Sequence, residues 1–350
     1  MDREYLYDRI AGCLMAGALG DALGLEVEFS SWDGIRRRFG EGGIRKPETH
    51  DGLARISDDT QMTLFTNEGM VLGYWRARER GIGAPVEDYI YHAYLCWYET
   101  QGEELPRPSG WESSSELLKV PGLHVRQFPG NTCLGALGSG RMGTLDEPIN
   151  QSKGCGGVMR TAPLGFMKCW GSPLEKGAAA AAITHGHPYG WAPAGMLSDI
   201  VHRLIYGDQD IPLEDVVLTS LRATEARWDL PEVHAFGDKV RSAVRLSHTD
   251  TSDVEAIHSL GGGWVGNEAL AIAVYSSLRH PDDIPAALIS AVNHSGDSDS
   301  TGAIAGNILG ARLGLKALPR NWVRRLELTD VILAQAENAV RAVLDSPHLL

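Results

Sequence analysis

A chain of 350 residues, 43% hydrophobic and 22% charged, can bury a substantial core, which excludes an intrinsically disordered protein. A formal net charge of −13 excludes a protein whose main task is to hold nucleic-acid phosphates, because the non-specific part of that affinity comes from clustered Lys and Arg. Five cysteines (Cys13, Cys96, Cys133, Cys155, Cys169) without C-x-x-C spacing suit reduced thiols in a cytosol better than a disulfide framework.

The N-terminal segment carries Asp2, Glu4, Asp8 and Asp21, unlike a secretory leader, and no apolar run approaches roughly 18 residues. A cytoplasmic chain without a membrane span is expected. Tyr5–Leu23 places Leu6, Ile10, Leu14 and Gly17 on one helical stripe, and Glu26-Val27-Glu28-Phe29 leaves that helix. Further helices are predicted over 60–78, 86–98, 174–183, 193–205, 213–227, 231–247, 265–278, 284–292, 300–315 and 329–344. Thr329 is expected to cap the last of these, and Ser346-Pro347 to stop it. The least regular part, Gly102–Gly130, is rich in Pro, Gly and Ser yet keeps Trp111, Leu117, Leu118 and Phe128, so it reads as a loop or lid rather than a linker. Alternating β-branched runs are almost absent and nothing repeats as β-α-β, so the fold class is expected to be all-α.

The chemistry concentrates in two acidic clusters. Val292–Gly306 (VNHSGDSDSTGAIAG) sets Asp297 and Asp299 one residue apart before an apolar helical segment. Carboxylates this close repel by roughly 4 kcal/mol per pair at 4 Å and an effective dielectric of about 20, unless a cation sits between them. Ser57-Asp58-Asp59-Thr60 opens a second helix. Alone it is an N-cap with two residues complementing the helix dipole. Together, two helix N-termini could present four carboxylates and several hydroxyls to one pocket, the hard oxygen set that Mg²⁺ or Mn²⁺ prefers. An EF-hand fails because Ile308 stands where a bidentate Glu is needed, and Gly296-Asp297-Ser298 lies at the wrong end of the chain for a GDS-type esterase.

Other motifs are weaker. Gly138-Ser139-Gly140-Arg141-Met142-Gly143 follows no strand and reads as a turn, not a dinucleotide fingerprint. Gly130-Asn131-Thr132 and the run Ser152 to Arg160, with Gly154, Cys155, Gly156 and Gly157, could turn backbone N–H groups to an anion or simply be tight turns. His185 and His187 form a His-x-His without a third ligand, so a hydrogen-bonding histidine is preferred to a zinc site. Cys155 is read as a small buried thiol before a nucleophile.

These segments, in this order, resemble the ADP-ribosylglycohydrolase family, which takes in the dinitrogenase reductase-activating and ADP-ribosylarginine hydrolases. The resemblance rests on GCLMAGALGDALGLEVEF (Gly12–Phe29), SDDT (Ser57–Thr60), PGNTCL (Pro129–Leu134), SKGCGGVMRTAP (Ser152–Pro163), THGHP (Thr184–Pro188) and NHSGDSDSTGAIAG (Asn293–Gly306). It implies one compact all-α domain over 1–350, since the two clusters stand at opposite ends of the chain. It implies two Mg²⁺ (or Mn²⁺) at the base of a cleft for ADP-ribose, with Ser57, Asp58 and Asp59 in one ligand group and Asp297, Asp299 and Ser300 in the other. Glu28 falls on the family's mobile acidic residue, and Asn131, Thr132, Gly154 to Gly157 and His185 fall in segments lining the cleft. Ser57 and Ser300 replace the more usual Thr; both hydroxyls can ligate.

The resemblance therefore implies a hydrolase that takes ADP-ribose from an ADP-ribosylated protein, foremost from ADP-ribosylarginine, with Glu28, Asp58 and Asp299 in catalytic roles. Two other readings stay open at the level of sequence. One is an immunity or regulatory protein that binds and blocks an ADP-ribosyltransferase toxin; the other is a hydrolase of free ADP-ribosyl compounds or small N-glycosides.

Overall fold

A computed structural model describes residues 2–81, 85–104, 115–168 and 171–345. Cys169, Trp111 and the Ser346-Pro347 stop lie outside them. Among the described residues the regular structure is helical, with three isolated backbone bridges and no strand. The α-helices are α1 (Arg3–Gly24), α2 (Trp32–Phe39), α3 (Asp58–Arg80), α4 (Val86–Thr100), α5 (Asn131–Gly138), α6 (Pro173–Ala182), α7 (Pro188–Tyr206), α8 (Leu213–Arg227), α9 (Pro231–Ser247), α10 (Asp253–Leu260), α11 (Gly266–Arg279), α12 (Ile284–Val292), α13 (Ser298–Leu313), α14 (Arg320–Val323) and α15 (Thr329–Leu344). The all-α expectation holds, and every predicted helix is present to within a few residues.

Two boundaries need correction. The helix expected from Pro193 begins at Pro188 and carries Pro193 inside it; a proline that cannot donate to the ladder was read as a start. Thr329 does not cap α15, because Leu328 does so in the left-handed region (φ 56°), while the Thr329 hydroxyl donates to the carbonyls of Val323 and Leu326.

α1 and α13 lie at the centre. From Ile10 to Gly24 every residue of α1 is buried, so this part of the helix has no solvent face. It packs on α13 backbone to backbone: a Cβ on Gly20 would fall 2.0 Å from the Gly302 carbonyl oxygen, and one on Gly306 would fall 2.1 Å from that of Ala16. Asn307 Nδ2 donates to the Cys13 carbonyl (3.0 Å) across the same seam. Around this pair, α3 packs on α4 and α15, and α11 packs on α7, α9 and α13. Buried apolar residues from Leu6 to Ala342 form a contiguous core.

The α12–α13 junction sits deep in this core. His294 is 3% exposed, with Nε2 3.0 Å from the Thr301 hydroxyl. Burial lowers its pKa to about 4. The folded protein thus keeps His294 neutral where the unfolded chain takes up a proton, so stability is lost as pH falls from about 6.5 towards 4. The difference in unfolding free energy between wild type and His294→Gln, read from urea denaturation, is expected to shift in the variant's favour by about 2 kcal/mol between pH 7 and pH 4.5.

Segment 115–130 is tied down at both ends. Glu68, buried on α3, accepts from the Ser115 hydroxyl and from the backbone N–H groups of Glu116 (2.8 Å) and Leu117 (3.0 Å). Farther on, Gln61 Nε2 donates to the Val125 carbonyl (3.0 Å), and Asp58 N–H to that of Gln127 (3.2 Å). The strap at 124–130 therefore runs across the start of α3.

Candidate active site

Ser57 ends an extended segment and caps α3, its hydroxyl accepting from Asp59 N–H (3.2 Å). Asp58 N–H goes to the Gln127 carbonyl, and two further amides of that helix end go to a residue from α1. Both carboxylate oxygens of Asp21 accept from Ser57 N–H (3.0 Å each), and Oδ2 also accepts from Thr60 N–H (3.1 Å) and the Thr60 hydroxyl. With the helix terminus satisfied in this way, Asp58 and Asp59 are free to face outward from the first turn. At α13, Asp297 is the cap: Oδ1 accepts from Ser300 N–H (3.2 Å), which Asp299 Oδ1 also takes (3.0 Å). Glu28 arrives from the turn leaving α1, its N–H bonded to the Gly24 carbonyl (2.9 Å).

These elements meet at a cleft of about 350 Å³ whose walls include Glu28, Asp58, Asp59, Asp297, Asp299 and Ser300. Glu28, Asp297 and Asp299 have carboxylate oxygens within 4.8 Å of one another. Gly130 N–H donates to Asp58 Oδ2 (3.1 Å), and the Cys155 thiol donates to Asp297 Oδ2. Cys155 is thus a hydrogen-bond donor to the cluster, and burial pushes its thiol pKa up, away from a thiolate nucleophile.

No Lys or Arg is among the residues lining the cleft. Burial first, and the neighbouring carboxylates second, raise Glu28 and Asp58 to about 8 and hold Asp59 and Asp299 well above the usual carboxylate range. Asp297 is also raised by burial. Asp59 Oδ2 is buried without any hydrogen-bond partner. A set of hard oxygen donors that repel one another, one of them orphaned, fits a divalent cation of the Mg²⁺ or Mn²⁺ type.

Most of the remaining sequence candidates line the same cleft. Asn131, Thr132, Gly154, Cys155, Gly156 and His185 line the cleft; Gly157 lies beneath it, where a Cβ would meet the Gly190 carbonyl oxygen at 2.6 Å. Ser57 is fully buried behind the wall. His185 is kept neutral, its pKa lowered to about 3 by burial and the nearby Arg160, and its Nδ1 lies 2.8 Å from the Thr184 hydroxyl. His187 turns elsewhere, its Nδ1 accepting from Tyr189 N–H (3.1 Å) as the cap of α7. Both histidines thus make hydrogen bonds within their own segment. Beyond Thr132 the wall continues into a second hollow lined by Asn131, Thr132, Asn150 and Ser152, with the Thr132 and Ser152 hydroxyls 3.1 Å apart.

Sequence reasoning missed Asp21, Phe29, Phe128 and Trp264. The signal for Asp21 was present, a single charge inside the apolar run AGALGDALGL. Because it orients α3 without touching the cleft, Asp21→Asn is expected to weaken divalent-cation binding by about 10- to 100-fold, as loss of a residue that positions metal ligands does. Titration calorimetry of the folded variant checks this.

Comparison with known proteins agrees with the geometry. The ADP-ribosylglycohydrolase family profile matches residues 2–347. An ADP-ribosyl-[dinitrogen reductase] glycohydrolase of Rhodospirillum rubrum is 26% identical over 352 residues, covering 97% of this chain and 96% of its own. The human ADP-ribosylhydrolase ARH3 is 27% identical over 213 residues (54% of this chain, 58% of its own), and an ADP-ribosylarginine hydrolase Tri1 of Pseudomonas putida is 23% identical over 342 residues (95% and 78%). Among solved structures, an ADP-ribosylglycohydrolase-related protein complex shares the fold with a TM-score of 0.63 at 22% identity, covering 97% of this chain and 99% of that one. Among the described residues no helix is long and apolar enough to cross a membrane. The profile match over nearly the whole sequence, on a helical fold that brings the two acidic clusters to one cleft, shows that the chain belongs to the ADP-ribosylglycohydrolase family of hydrolases.

Proposed function

We propose that this protein removes ADP-ribose from arginine side chains of modified proteins, with two Mg²⁺ ions (or Mn²⁺ in their place) held by Asp58, Asp59, Asp297, Asp299 and Ser300. The observation that carries the reading is the convergence of four aspartates and Glu28 on a cleft without a cationic side chain in its lining. Bound there, divalent cations supply a water of lowered pKa and a hold on the ribose hydroxyls.

The chain's own groups do the rest. Ser57 fixes the start of α3 and so aims Asp58 and Asp59. Glu28, carried on a turn rather than a helix end, moves the proton between attacking water and departing guanidine nitrogen. The turn Gly154 to Gly157 and the side chains of Asn131, Thr132 and His185 receive ADP-ribose; His185, being neutral, offers a hydrogen bond without adding charge. Among the described residues nothing points to a toxin-binding face that works apart from this cleft.

The test is release of ADP-ribose from arginine-, serine- and nucleic-acid-linked substrates in Mg²⁺, in Mn²⁺ and after chelation. Release from the arginine linkage is expected to fall at least about a hundredfold after chelation. A rate indifferent to chelation, or release from the other linkages alone, would sink the reading.

A further inference from the structure

Three aromatic side chains stand in water at the mouth of the cleft: Phe29 is 67% exposed, Phe128 61% and Trp264 43%. They come from three separate segments, the turn after α1, the strap across α3 and the loop before α11. Phe29 stacks on Trp264 with centroids 5.2 Å apart and planes 26° from parallel, and it meets Phe128 at 6.4 Å. Phe29 and Phe128 both hold left-handed backbone, φ 61° and 51°, a conformation that bulky residues rarely adopt. Strain of this kind persists where the surroundings impose it, and exposed aromatic patches of this kind mark contact surfaces.

The placement of the rings says what they contact. Phe29 directly follows Glu28. Gln127, beside Phe128, accepts the Asp58 N–H (3.2 Å), and the Trp264 carbonyl accepts the Cys155 N–H (3.2 Å). Each ring is therefore anchored next to the carboxylate end of the cleft, where the bond to the acceptor is broken. The polar hollow of Asn131, Thr132, Asn150 and Ser152 adjoins the cleft through Asn131 and Thr132 and suits the rest of the nucleotide. A departing group bounded by aromatic faces and a carboxyl is best matched by a planar cation, since guanidinium stacks on aromatic rings and pairs with carboxylates. A serine hydroxyl offers neither plane nor charge.

We propose that Phe29, Phe128 and Trp264 form an acceptor-recognition rim that takes the guanidinium of the modified arginine. The inference rests on the arginine-hydrolase reading above and adds the residues that select that acceptor.

Trp264→Leu and Phe128→Leu keep apolar bulk but remove a π face, and Trp264→Phe restores one. Two quantities decide: KM for an ADP-ribosylarginine protein, and the Kd of free ADP-ribose, which has no acceptor, by calorimetry in Mg²⁺. The leucine variants are expected to raise KM about tenfold while ADP-ribose affinity moves less than about twofold, with Trp264→Phe recovering most of the loss. An ADP-ribose Kd that weakens in step with KM would place the rings on the nucleotide instead, and an unchanged KM would make the rim inert; either overturns the proposal. A wild type that binds ADP-ribose but releases none from arginine refutes the arginine reading itself, before any variant is compared, and takes the rim's assignment with it.

Discussion

Asp59→Asn is expected to yield a protein that melts higher than wild type in the absence of metal and no longer turns over. Asp59 is 3% exposed, faces Asp21, Asp58, Asp297 and Glu28 as like charges, and has an oxygen that nothing in the chain satisfies. Removing its charge lifts repulsion from every member of the cluster, and the amide is no bulkier than the carboxylate. A gain of about 2 kcal/mol in the metal-stripped protein is expected, roughly 2–4 °C in Tm for each kcal/mol in a domain somewhat smaller than this one. Wild type should recover about 2.7 kcal/mol from Mg²⁺ at a hundred times its Kd, and the variant much less. ADP-ribose release should drop at least about a thousandfold. Calorimetric melts in chelator and in Mg²⁺ check the sign: a variant less stable than wild type in chelator would mean that the chain itself balances the cluster.

The second large effect concerns Gly20. On helix propensity alone, Gly20→Ala should stabilise α1 by about 1 kcal/mol. The structure predicts the reverse. The new Cβ would lie 2.0 Å from the Gly302 carbonyl oxygen and 2.3 Å from its carbon, both backbone atoms that cannot rotate away. α1 and α13 must separate, at an expected cost of about 3 kcal/mol or more. Because α13 carries Asp297 and Asp299 at its start, the same separation should pull them from Asp58 and Asp59 and lower Mg²⁺ affinity. Urea denaturation and Mg²⁺ titration of the variant check both parts; a stabilised variant would mean the two helices do not meet in this way.

What the sequence made legible follows from what is local. Helices of nine residues and longer were visible in their apolar period, and the acidic clusters were visible because Ser57 and Asp297 announce helix starts with carboxylates beside them. The eight-residue helices α2, α5 and α10 were missed, since two turns leave little period to detect, and α5 begins in PGNTCL, where Pro and Gly read as a turn. The role of Asp21 was illegible because its partners, Ser57 and Thr60, lie on another helix. The rings of Phe29, Phe128 and Trp264 gave no pattern either, being scattered along the chain and gathered only by the fold.

The seam between α1 and α13 also bears on when the protein becomes competent. Asn307 bonds to Cys13 over a separation of 294 residues, so the central helix pair closes a loop spanning most of the chain. Contacts this distant are costly in loop entropy and form slowly. During synthesis α1 must wait, with its apolar surface uncovered, until α13 has left the ribosome, and only then do the two acidic clusters meet. The active cleft is accordingly among the last features to assemble, and nascent chains that stop short of α13 carry half a site.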